Sequence, residues 1–383
     1  MIVDELNKLK QTKASIKQAL IDKGQNPTDE FASYANDISN ITTGGGGVSF
    51  PEGTKFAYSK FTELTPEIKN YVENYSDCTE MFAFSALTGN LELDLKATNV
   101  CQMFRNGSSG SIFTYEFLYI NKLTNVVINL INEVPAVSMF YACNNLKEVT
   151  LNGSLKDCAG MFYNCAQLIN LKGNINTSSC QNFGHMFYGC RQLLTLPELD
   201  TSNGTSFSNV FGECQSLTQI PKGLNTEKGT NFVQMFYGCY LLEMLPKLIT
   251  NKATDLSAMV NYCDRLVKIE ELSAESVTTS TLYIYSTWSS NNSIRYCLLK
   301  DIGTKSQVTT VNFSTMNNYG IVDANIPLSE GARQSLIDTL ITYSYDRAAV
   351  GYSTCTIRLS TNTKALLTQD EIAQITAKGY TIA

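Results

Sequence analysis

The chain has 383 residues, of which 43% are apolar and 17% charged, and a formal net charge of −6. That length and apolar content support a large packed core and exclude a disordered chain. No basic stripe interrupts the acidic balance, so nucleic acid is not the expected partner. No run approaches the roughly 18 apolar residues that a membrane span requires.

Residues 1 to about 23 read as a helix. Ile2, Leu6, Leu9, Ile16 and Leu20 recur at spacings of four and three, with Lys13 at the position between Leu9 and Ile16. This is a narrow seam, and it predicts self-association. Gly24 suits the end of that helix. A second helical segment follows Pro27, with Phe31, Tyr34, Ile38 and Ile41 on one face. Residues 1–43 are therefore expected to be an anchor and oligomerisation segment. The start carries no basic region, apolar stretch and small-residue cleavage site in succession, so the expected folding compartment is a cytoplasm. Gly44 to Gly47 form a flexible linker, with no Gly-Lys-Ser/Thr to make it a phosphate loop.

Residues 48–138 read as irregular N-terminal repeats. Cys78-Thr-Glu-Met81-Phe82 and Cys101-Gln-Met103-Phe104 share a Met-Phe pair, and an insertion lies around Gly107 to Tyr119. From 139 to 272 the pattern becomes regular. Met139-Phe140-Tyr-Ala-Cys143 returns as Met161-Phe162-Tyr-Asn-Cys165, then as Met186-Phe187-Tyr-Gly-Cys190. Val210-Phe211-Gly-Glu-Cys214, Met235-Phe236-Tyr-Gly-Cys239 and Met259-Val-Asn-Tyr-Cys263 follow. Each cysteine is followed three residues on by a leucine, and three further on by another apolar residue, as in Leu168 and Leu171. One such unit is too short to bury its own apolar side, so the copies must stack. The Met-Phe and Cys-x-x-Leu pairs are expected to point inward from a short helical turn, and Leu-x-x-Leu to form a short strand. At a strand spacing of about 4.8 Å, six copies make a rod on the order of 30 Å long. Pro197, Pro221 and Pro246 suit strand ends.

Residues 273–327 read as degenerate repeats, with Leu282 to Tyr285 and Val308 to Phe313 as strand candidates and Trp288 as the sole tryptophan. Residues 328–383 read as a small α/β cap. Ser329 to Leu340 suggests a capped helix, Cys355 to Leu359 a strand, and Thr368-Gln-Asp-Glu371 a capping box. Gly379 closes that last helix before a final strand at Tyr380 to Ile382. The fold class is an α/β repeat solenoid, with an N-terminal helical anchor and the C-terminal cap.

Six of the twelve cysteines recur at one repeat position, which predicts a column of small, reduced, buried side chains. No Cys-x-x-Cys pair exists and His185 is the only histidine, so neither zinc nor another cofactor is expected. No nucleophile motif accompanies His185, and Glu270-Glu271 reads as a solvated face, so no enzyme is expected. Two carboxylates from distant coils could still make a polysaccharide depolymerase. The residue after each repeat cysteine varies: Asn144, Ala166, Arg191, Gln215, Tyr240 and Asp264 in turn. Stacking would align these positions, and Arg191, Gln215, Tyr240 and Asp264 form the candidate binding face.

The repeat Met-Phe-x-x-Cys-x-x-Leu, followed by Leu-x-x-Leu, resembles the BspA-like leucine-rich repeats. The likeness is specific over 139–272 and looser from 78. The ending, with its Leu-Thr-x-x-Glu and Lys378-Gly379-Tyr380-Thr381, is similar to the tails of such proteins. Ile16 to Leu20, Phe31 to Ile38 and the glycine run are similar to anchors of head and tail fibres of gut-bacteria phages. The resemblance implies a leucine-rich-repeat-like solenoid displayed on a bacteriophage virion. It implies a homotrimer held to capsid or tail proteins through residues 1–43, with a host surface glycan or protein as ligand. A bacterial cell-surface adhesin is the alternative.

Overall fold

The computed structural model describes residues 50–106, 122–220, 224–283, 294–314 and 331–383. The seam of Ile2, Leu6, Leu9, Ile16 and Leu20, the glycine run, the insertion at Gly107 to Tyr119, Pro221 and Trp288 lie outside these residues.

The chain enters through helix α1 (Pro66–Asn74), which the Thr65 side chain caps and which buries Ile68 and Val72. Three long strands follow: β1 (Thr88–Leu95), β2 (Lys122–Leu130) and β4 (Glu148–Asp157), with the two-residue β3 (Val134–Pro135) between the last two. They pair in parallel in the order β1-β2-β4-β3, and β5 (Asn170–Lys172) and β6 (Ile175–Asn176) also pair with β4. β7 (Met244–Leu245), β8 (Lys268–Ser273) and β10 (Tyr296–Lys300) make a second parallel sheet. β9 (Thr281–Leu282), β11 (Thr310–Phe313), β12 (Cys355–Leu359) and β13 (Tyr380–Ile382) make a third. Parallel pairing throughout follows from the repeat, because each copy runs in the same direction and lies on the one before it.

The backbone around Met-Phe is not helical. It makes two tight turns, and the residue before each Met and the residue before each Cys sit in the left-handed region. Examples are Ser138 and Ala142 (φ 54° and 58°) and His185 and Gly189 (φ 58° and 74°). Donors then alternate. Met139, Tyr141 and Cys143 donate back three residues, to Ala136, Ser138 and Phe140. Ser138, Phe140 and Ala142 donate to Ala159, Met161 and Tyr163 of the next coil, at 2.7–2.9 Å. A helix would have spent all these N–H groups locally; alternation leaves half of them to join coil to coil. The left-handed conformation costs an ordinary residue roughly 1–2 kcal/mol, which is why Gly and Asn hold some of these sites.

The Leu-x-x-Leu segment is not a strand in every copy. Strands form after Leu146, Leu168, Leu242 and Leu266, but Leu193 to Leu196 contributes only a bridge from Thr195 to Asn170, and Leu217 to Ile220 none. In the middle of the stack the turn ladder carries the coil-to-coil bonding instead. Residues 50–106, read as irregular, join the stack directly. Phe56, Phe82, Phe104, Phe140, Phe162, Phe187, Phe211 and Phe236 form one column, with neighbouring ring centroids 5.3–5.9 Å apart and planes within 18°. Met139, Met161, Met186, Met235, Cys143, Cys165, Cys190, Cys214 and Cys239 are buried beside it.

Toward the C-terminus the helix α2 (Ala332–Ile337) starts at Gly331 (φ 82°), without a side-chain cap, and continues as a wide π-turn over Asp338–Thr342. After β12 comes a four-residue turn of helix, α3 (Thr361–Lys364), and then α4 (Gln369–Ala377) with a complete Thr368–Glu371 capping box. Arg347 is fully buried; its guanidinium donates to the carbonyls of Gly303, Lys305 and Ser353. Tyr380 lies beside it and donates to the Ile302 carbonyl at 2.7 Å.

Candidate binding face

The turn ladder determines which side chains leave the core. In Met-Phe-Tyr the first two residues point inward, and the alternation of the backbone turns the third outward. Tyr141, Tyr163 and Tyr188 therefore form a half-buried column on the surface, with centroids 4.7 and 4.9 Å apart and planes within 18°. His185 rests against Tyr163 and Tyr188 at 6.0 and 5.9 Å. The next coil has Gly212 at this position, and a Cβ there would meet the Tyr188 ring at 2.7 Å. The column resumes at Tyr237, which meets Tyr262 edge-on at 5.2 Å.

The residues after the repeat cysteines border this column. Arg191 and Asn144 are exposed, Tyr240 is 36% exposed, and Ala166, Gln215 and Asp264 are half-buried. Gln215 is engaged: its amide donates to Glu213 at 3.0 Å. Arg191 is tied to the next coil, since its carbonyl accepts from Ser216 at 3.1 Å. Burial raises the Tyr240 hydroxyl above its ordinary pKa, and the carboxylates of Glu213 and Asp264 add to this against the opposing Arg191 charge. Burial likewise raises Tyr141, Tyr163 and Tyr188, and it lowers the His185 imidazole. At neutral pH the face therefore presents neutral hydroxyls and a neutral imidazole, with Arg191, Glu213 and Asp264 as its charges. Such a surface can stack on flat apolar faces and exchange hydrogen bonds at its rim.

Glu270 and Glu271 are not a freely solvated pair. Glu271 bridges Lys247 and Lys300 at 2.8 Å each, and Glu270 meets Lys268 at 3.1 Å. Burial alone would raise the Glu271 carboxyl, but the hydrogen bonds from the two lysines hold it below the usual range. Among the described residues, no group of three His, Cys, Asp or Glu side chains could hold a metal ion.

Three regularities escaped the sequence reading. One is the tyrosine column, although its residue follows Met-Phe in four copies. The second is a buried threonine in four successive coils, at Thr177, Thr201, Thr226 and Thr250. The Thr177, Thr201 and Thr250 hydroxyls donate to a carbonyl of the next coil at 2.8–2.9 Å. The third is an Asx turn in front of the Met-Phe pair: Asp157, Asn182, Asn231 and Asp255 each accept from the backbone two residues on, at 2.8–3.1 Å.

Residues 155–279 match the protein family described as "Mycoplasma protein of unknown function, DUF285". No curated protein matches the chain. Among solved structures, the crystal structure of a T. pallidum leucine-rich repeat protein is similar at 22% identity, over 40% of this chain and 71% of that one, with a TM-score of 0.30. The central coils of this chain are thus similar to the DUF285 family, and they lie in a parallel, coil-on-coil fold.

Proposed function

We propose that this protein is a non-enzymatic adhesive component of a bacteriophage virion, of the head- or tail-fibre kind. Residues 1–43 assemble and anchor it, and a leucine-rich-repeat solenoid is displayed outward toward a host surface glycan or protein. One observation carries the reading: a constant buried set of Met, Phe and Cys supports an outer row whose chemistry changes with every coil. Constancy inside and variation outside is what a binding scaffold requires. The tyrosine column supplies rigid contact area at low entropic cost, and Arg191 and Tyr240 are its best anchors by residue type. The virion part of the proposal leans on the likeness of the N-terminal segment to phage fibre anchors.

A bacterial cell-surface adhesin is the second reading, favoured by the similarity of residues 155–279 to a family named for a cellular organism. Mass spectrometry and immunogold labelling of density-purified phage particles, set against washed host-cell envelopes, separate the two. Label on particles at a fixed copy number is the expected result. Label confined to envelopes overturns the virion reading and leaves adhesion in place.

A further inference from the structure

The sulfurs of the repeat cysteines bond back along the stack. Those of Cys165, Cys190, Cys214, Cys239 and Cys263 each donate to a phenylalanine carbonyl of the preceding coil, at 3.0–3.2 Å. Cys158 and Cys180 stand at other positions and face each other, with their Sγ atoms 2.6 Å apart and both side chains fully buried; the Cys180 thiol also lies 3.3 Å from the Leu155 carbonyl. The separation of the two Sγ atoms is much closer to the ~2.05 Å of a sulfur–sulfur bond than to the roughly 4 Å of ordinary side-chain contact.

The repeat itself builds this juxtaposition. Cys180 stands three residues after the buried Thr177 and donates its N–H back to it; Gly204, Gly229 and Ala253 stand likewise after Thr201, Thr226 and Thr250. A Cβ on Gly204 would come within 2.5 Å of the Phe207 ring three residues on and within 3.2 Å of the Phe183 ring of the preceding coil, so a side chain at this position lies between the two coils. Cys158 occupies the place of Phe183 one coil earlier, because each accepts from the Met three residues on. Where the preceding coil carries a phenylalanine, as at Phe183, Phe207 or Phe232, this position holds glycine or, after Phe232, alanine. Where it offers a thiol, the facing residue is a second thiol. Packing alone would be met by any small side chain there, as Ala253 demonstrates, so the paired chemistry calls for its own explanation.

We propose that Cys158 and Cys180 form a disulfide that staples two successive coils, while the other thiols stay free. The oxidant is a small-molecule disulfide. One cysteine thiolate attacks it, forming a mixed disulfide and releasing one thiol. The second cysteine thiolate then displaces the remaining half as a second thiol. Two S–H bonds are lost from the protein, one S–S bond forms, and the oxidant is reduced to two thiols, so protons and electrons balance. Both sulfurs are buried once the coils close, so the exchange belongs to folding, before the second coil docks.

The test refolds the full chain with glutathione disulfide, or with dithiothreitol, then alkylates in denaturant and maps the peptides. The expected oxidised product is about 2 Da lighter before alkylation. Ten of its twelve cysteines are alkylated, and its cross-linked peptide pair contains Cys158 and Cys180. Its denaturant midpoint is raised over the reduced chain. A Cys158→Ala/Cys180→Ala chain, which places the alanine of a later coil at position 180, folds and shows neither the link nor the raised midpoint. Twelve alkylated thiols after oxidative refolding, or links spread over the repeat column at similar yield, would overturn the proposal.

Discussion

A thiol that donates to a carbonyl one coil back explains why cysteine occupies its repeat position. The Phe162 carbonyl accepts both from the Cys165 amide, at 3.0 Å, and from the Cys190 thiol, at 3.1 Å. Alanine would fit but would leave one lone pair unmet in a dry core, so Cys190→Ala is expected to cost about 1–2 kcal/mol by denaturant unfolding. Phe187 lies between two rings of the column, and Phe187→Ala is expected to cost about 3–5 kcal/mol; a loss under about 1 kcal/mol would contradict the packing described. Burial pushes Cys78 and Cys297 up to about 12 and Cys355 up to about 11, and it raises Cys190 and Cys263 still further. An unfolded thiol titrates near 8.5. The folded chain therefore keeps protons that the unfolded chain releases. This contribution is complete below about pH 8.5 and is lost as the pH climbs toward the folded values. The denaturant midpoint should fall steadily between pH 8 and pH 10.5, with the repeat thiols of the native chain resisting alkylation at the lower end. A flat profile would contradict the burial of these thiols.

At the scale of one coil, weak points are as informative as regularities. Val210 takes the place of the repeat methionine, and a small apolar cavity opens beside it, lined by Phe183, Met186, Phe187, Phe207 and Phe211 among others. Val210→Met is expected to stabilise the chain by up to about 1 kcal/mol. A loss of similar size would mean that the coil cannot accept the longer side chain. Thr201 both donates to the Asn225 carbonyl and accepts from its amide, at 2.8 and 2.7 Å. Thr201→Val strands both groups and should cost about 1–3 kcal/mol by the same measurement. The buried Met, Phe and Cys positions were legible in the sequence because burial demands the same apolar side chain in every coil. The ladder through the Met-Phe turns was not legible. It is made by backbone groups, and its trace in the sequence is faint: some left-handed sites hold Gly or Asn, but Ser138, Ala142, His185, Glu213, Gln234, Ala258 and Tyr262 fill others. The missing strand at Leu217 to Ile220 was hidden for the converse reason: the leucines keep the spacing because they are buried, whether or not the backbone pairs. Of the candidate face, Arg191 and Tyr240 could be found by position, whereas Gln215 is held by Glu213, a partner that only the fold brings to it.

At the scale of the whole molecule, the proposal divides labour between an assembling N-terminus and a displayed stack. The seam of Ile2, Leu6, Leu9, Ile16 and Leu20 is short for an isolated coiled coil, so it is expected to be covered by sister chains, by the Phe31 to Ile41 segment or by a host particle. A chain lacking residues 1–47 should sediment as a monomer and fail to load onto particles; assembly and loading equal to those of the full chain would remove the anchor from the proposal. The central claim is that the outer row beside the tyrosine column is the binding surface. Its most direct test is equilibrium binding of the labelled full chain to host cells, set against an Arg191→Ala/Tyr240→Ala chain whose unfolding midpoint matches the parent. The expected result is at least a tenfold loss of affinity, equivalent to about 1.4 kcal/mol, from two anchors of hot-spot type. Unchanged binding by the folded double variant would place the ligand on another surface and contradict the claim.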